Sequence, residues 1–147
     1  MIIDDTLDAI ETVLEGVTGL ARVYRHKTGY VNRGDLPAAV TYSGPSIGEG
    51  SRFGGATFRQ SDRAYIIDVY VAAVTEATWD ENIAAAETLL QSCIDAFLTL
   101  ENVTLSGVVT SIEGITDTGV VVLTLGNNTF TGFQLTLAVM GKTVQAS

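Results

Sequence analysis

The stretch AYIIDVYVAAV, residues 64–74, constrains the fold more than any other part of the chain. It is rich in β-branched and aromatic residues, and two-residue alternation sends Tyr65, Ile67, Val69 and Val71 to one side. Ile66, Asp68, Tyr70 and Ala72 go to the other. This is the strongest strand signal in the chain, and the elements around it have to supply partner strands and a covering layer.

The covering layer is legible on both sides of that strand. Ile3, Leu7, Ile10, Leu14 and Val17 fall on one stripe of a helix, with Asp4, Asp5 and Asp8 in its first turns, where the helix dipole favours acids. Gly16 and Gly19 are stops for it. After the strand, TWDE (78–81) reads as a capping box, with Thr78 as N-cap and Glu81 at the third helical position. The helix it opens carries Ile83, Ala86, Leu90, Cys93 or Ile94, and Phe97 on one face and is expected to end near Leu100.

Partner strands are read at LARVYRHK (20–27), at AAVTY (38–42) behind Pro37, and in three segments of the last third. These are VTLSGVVTSIEG and TGVVVLTLG, separated by a short turn, then TFTGFQLTLAVM, joined through GNN at 126–128. The expected fold is therefore α+β. A largely antiparallel or mixed sheet carries both helices on one face, in a single domain spanning 1–147 with 143–147 as a flexible tail.

Composition agrees with one globular domain. The 147 residues are 46% hydrophobic and 17% charged, which is enough for a core and too short for two ordinary ones. No apolar run reaches membrane-spanning length, and MIIDDTLDAIE carries acids where a signal peptide carries bases, so the chain is expected to stay in the cytoplasm where it is made.

Charge is unevenly spread. The net −9 divides into −5 over residues 1–21, +4 over 22–63 and −8 over 64–147. Such polarity speaks against a nucleic-acid-binding module, which is basic across its contact face, and suits copies that meet through opposite charges.

The chain offers no credible catalytic constellation. The single histidine, His26, stands between Arg25 and Lys27 in a strand and can form neither a metal site nor an acid–base pair by itself. Cys93 lies on the apolar stripe of the second helix, where a thiol packs rather than reacts. GEGSRFG is one residue off the dinucleotide fingerprint, runs into no helix and lacks the Gly-Lys-Ser/Thr of a P-loop. No Ser sits in a G-x-S-x-G elbow. No catalytic, cofactor or metal residue is assigned, and the chain is not read as an enzyme.

What remains is the glycine-rich excursion SGPSIGEGSRFGGATFRQSDR, residues 43–63, between two strands. A connection of this length in a small domain is usually functional. It carries Arg52, Arg59 and Arg63 in an acidic protein, with Phe53 and Phe58 among them, and arginine with aromatic side chains is what interface centres favour. These five residues are the expected protein-contact set.

The order of elements carries a resemblance. A first helix, LPAAVTYSG with Leu36-Pro37 before a strand of small residues, a glycine-rich excursion, DRAYIIDVYVAA, the capped helix TWDENIAAAETLLQSCIDAFLTL and a closing hairpin together resemble the tail terminator (tail completion) proteins of long-tailed bacteriophages, from about residue 3 to 140. The resemblance implies an α+β fold and a homohexameric ring at the head-proximal end of the tail tube. Such a ring stops tube polymerisation and offers the surface that docks to the head–tail connector protein. It implies the tail tube protein and other copies of the chain as partners, no cofactor, and assembly into the virion within the host bacterium. DNA would pass through an acidic lumen without being held. Other neck or tail components, such as a connector or a tube subunit, and a small cytoplasmic ligand-binding α+β domain are the other readings.

Overall fold

The computed structural model describes residues 2–25, 33–46, 62–74, 79–99 and 101–141. Two helices, α1 (Ile2–Glu15) and α2 (Trp79–Phe97), accompany six strands: β1 (Arg22–Arg25), β2 (Ala38–Ser46), β3 (Arg63–Ala73), β4 (Ser111–Asp117), β5 (Val121–Leu125) and β6 (Asn128–Met140). The strands form one mixed sheet in the order β1-β2-β3-β6-β4, with β5 also on β6. Among the described strands only the β1–β2 pairing is parallel.

The central strand alternates as expected as far as Val71, and a register shift between Tyr70 and Ala72 then sets Ala72, expected on the other face, against the helix-side core. Tyr65, Ile67, Val69 and Val71 join Phe133, Leu135, Leu137 and Val139 of β6 on one face, and both helices pack there. From α1 come Leu7, Ile10 and Leu14; from α2 come Ala86, Leu89, Cys93 and Phe97. Each fully buried Leu, Ile, Val or Phe side chain in this layer contributes about 1.5–3 kcal/mol. On α2 the expected Ala86, Cys93 and Phe97 are buried, Leu89 joins them while Leu90 and Ile94 pack half-buried against the same core, and the helix runs to Phe97, close to the expected end near Leu100. Thr78, the expected cap, lies outside the described residues.

The other sheet face carries a smaller apolar cluster of Ala38, Val40, Tyr70, Leu125 and Phe130, in which the Tyr70 and Phe130 rings meet edge to face at 5.4 Å. Close packing of β3 on β6 depends on Gly132. A Cβ built there would stand 2.0 Å from the Val69 carbonyl oxygen, so no larger residue fits without moving the strand.

Two expectations need correction. Residues 43–46 continue β2 instead of opening the loop, and a register shift between Ser43 and Ser46 accommodates Pro45, which has no N–H to donate. Residues 103–110 are not strand. Asn102–Thr104 make a short 3-10 turn, and Leu105 and Ser106 follow with left-handed φ of 49° and 55°. Two such residues cost about 1–2 kcal/mol each, and burial of Leu105 (1% exposed) offsets part of it. β4 and β5 are separated by a short break, as expected, and do not pair with each other. They run in line along the same edge of the long strand β6, opposite Leu135–Met140 and Asn128–Gly132 respectively.

The break between β4 and β5 is held by Thr118, whose N–H donates to the Gln134 carbonyl (3.1 Å) and whose hydroxyl accepts from the Gln134 N–H (3.0 Å). The real reversal is the two-residue turn Gly126-Asn127, where Gly126 at φ 62° takes the positive φ that a tight hairpin of this type demands at its first central position.

Candidate functional site

The strongest concentration of polar chemistry in the described core is Asp68, at the middle of β3 on the face away from the helices. Its register neighbours are Val40 on β2 and Gln134 on β6. The carboxylate is 5% exposed and both oxygens accept hydrogen bonds: Oδ2 from the Tyr42 hydroxyl at 3.0 Å, Oδ1 from the Gln134 amide at 2.7 Å. Tyr42 lies diagonally across the strand pair, within reach of a long side chain.

This cluster is built to stay as it is. Burial first, then the adjacent Asp68 carboxylate, hold the Tyr42 hydroxyl protonated well above the ordinary tyrosine range. The same two causes push Tyr70 up to about 12. A phenol so far from neutrality cannot exchange protons usefully near pH 7, so the cluster reads as three strands tied by a satisfied polar link rather than as an acid–base pair. The sequence carried one signal of it, a lone acid inside an otherwise apolar strand, but not the identity of the partners.

Cys93 is fully buried, and burial pushes its thiol up to about 12, in keeping with a packing role. Among the described residues no three of His, Cys, Asp and Glu converge so as to hold a metal ion. A groove of about 810 Å³ runs between α1 and the 101–108 turn, with Asp5, Asp8 and Glu101 among its polar groups and Ala9, Val13 and Leu105 among its apolar ones. Thr12 and Ser106 also line it, the Ser106 hydroxyl lying 3.5 Å from the Glu101 carboxylate, and no described histidine is among its lining.

Of the five expected contact residues, Arg52, Phe53, Phe58 and Arg59 lie outside the described residues. Arg63 opens β3, is half-buried, and its guanidinium donates to the Gly44 carbonyl at 2.8 Å, clamping the start of β3 to the end of β2. His26 also lies outside the described residues. The basic segment is partly satisfied within the monomer: Arg25 on β1 pairs with Asp8 and, at 3.0 Å, with Glu11 of α1. Some of the opposite charge that could join two copies therefore joins two elements of one chain.

Side chains left at the surface include Leu98 just beyond α2 (61% exposed), Trp79 at its start, and Val121 and Val122 on β5. No helix among the described residues is long and apolar enough to cross a membrane. The sequence matches no protein-family model and no curated protein.

Proposed function

We propose that this chain is a structural ring protein of a long-tailed bacteriophage: a tail terminator that closes as a hexamer on the head-proximal end of the tail tube, ends tube growth and presents the docking surface for the head. What carries the reading is element order. A helix, a strand pair, a glycine-rich excursion, a central apolar strand, a second helix and a closing hairpin follow one another as in the family the sequence resembles, and the α+β fold accommodates that order. Two further observations support it. The polar core cluster is a structural tie without a free reactive group, and the acidic balance of −9 suits a passage through which DNA slides. Arg52, Phe53, Phe58, Arg59 and Arg63 are the proposed contacts with neighbouring subunits or the tube.

Light scattering with electron microscopy of the purified protein, alone and with tail tubes, tests the reading. A six-fold ring of a 15.5 kDa chain has a mass of about 93 kDa. Changing Arg52 and Arg59 to Glu should leave the fold intact and abolish the ring or its binding to tubes. A wild-type monomer that also ignores tubes would refute the proposal.

A further inference from the structure

We draw no further inference here: the strongest candidate, the groove between α1 and the 101–108 turn, carries none, because its Asp8 carboxylate is already paired with Arg25 of the same chain and nothing among the described residues shows what covers the rest of it.

Discussion

Replacing Asp68 by Ala is the most informative single change in the core, because its sign separates a structural carboxylate from one kept for chemistry. The wild-type group accepts two hydrogen bonds, at 3.0 and 2.7 Å, and hydrogen bonds to a charged group are worth about 1.5–3 kcal/mol each. Against that stands the cost of holding a carboxylate that is 5% exposed, several kcal/mol before compensation. Tyr42 and Gln134 are only half-buried, so after truncation each can turn toward water and recover part of its loss. The balance puts Asp68→Ala at about 2–3 kcal/mol of destabilisation, and Asp68→Asn, which keeps one acceptor, at about half that.

Urea unfolding at pH 7 reads the difference directly. With a denaturant slope of about 2 kcal/mol/M, the Ala variant should unfold about 1 M earlier with an unchanged slope, and the Asn variant should fall between it and wild type. An Ala variant as stable as wild type would show that the cluster ties nothing. One more stable than wild type would refute the structural reading outright, since a buried carboxylate retained against stability is the mark of a functional group.

Two other outcomes follow from the same sheet. Gly132→Ala drives a Cβ to 2.0 Å from the Val69 carbonyl oxygen, a backbone atom that cannot swing aside, so a loss of about 3 kcal/mol or more is expected from thermal or urea unfolding; a loss below about 1 kcal/mol would mean that β3 and β6 do not approach as described. Tyr70 has a pKa raised from 10.0 to about 12, so its contribution is intact below pH 10 and is lost as pH rises toward 12, because the unfolded chain releases the proton first; at about 1.4 kcal/mol per unit this is about 3 kcal/mol, and Tyr70→Phe should flatten that part of the alkaline stability profile.

The elements that sequence reasoning located well are those whose apolar period is decided by a single neighbouring layer. α1 buries Leu7, Ile10 and Leu14 on the expected stripe, with Val17 buried just beyond its end, and β3 splits its side chains between two faces by alternation up to Val71. The misplacements have local causes. Residues 103–110 alternate much as a strand would, yet Leu105 and Val109 are buried from a turn, held there by two left-handed residues ahead of Gly107. The Ser106-Gly107 dipeptide was the available signal for that turn. The parallel pairing of β1 with β2 left no trace in the pattern, because a four-residue strand shows the same alternation in either direction. The Asp68 tie was half visible: one acid in a strand of apolar residues announces a partner, but Tyr42 and Gln134 lie 26 and 66 residues away and meet it only through strand order.

That strand order also shows where the sheet is held most firmly. Both helices cover one face of the sheet, the Tyr70–Phe130 cluster occupies the other, and the polar tie across β2, β3 and β6 links the three middle strands. The Arg25 link to Asp8 and Glu11 fixes β1 to α1, so this short outer strand is held by side chains of the first helix as well as by its parallel ladder to β2.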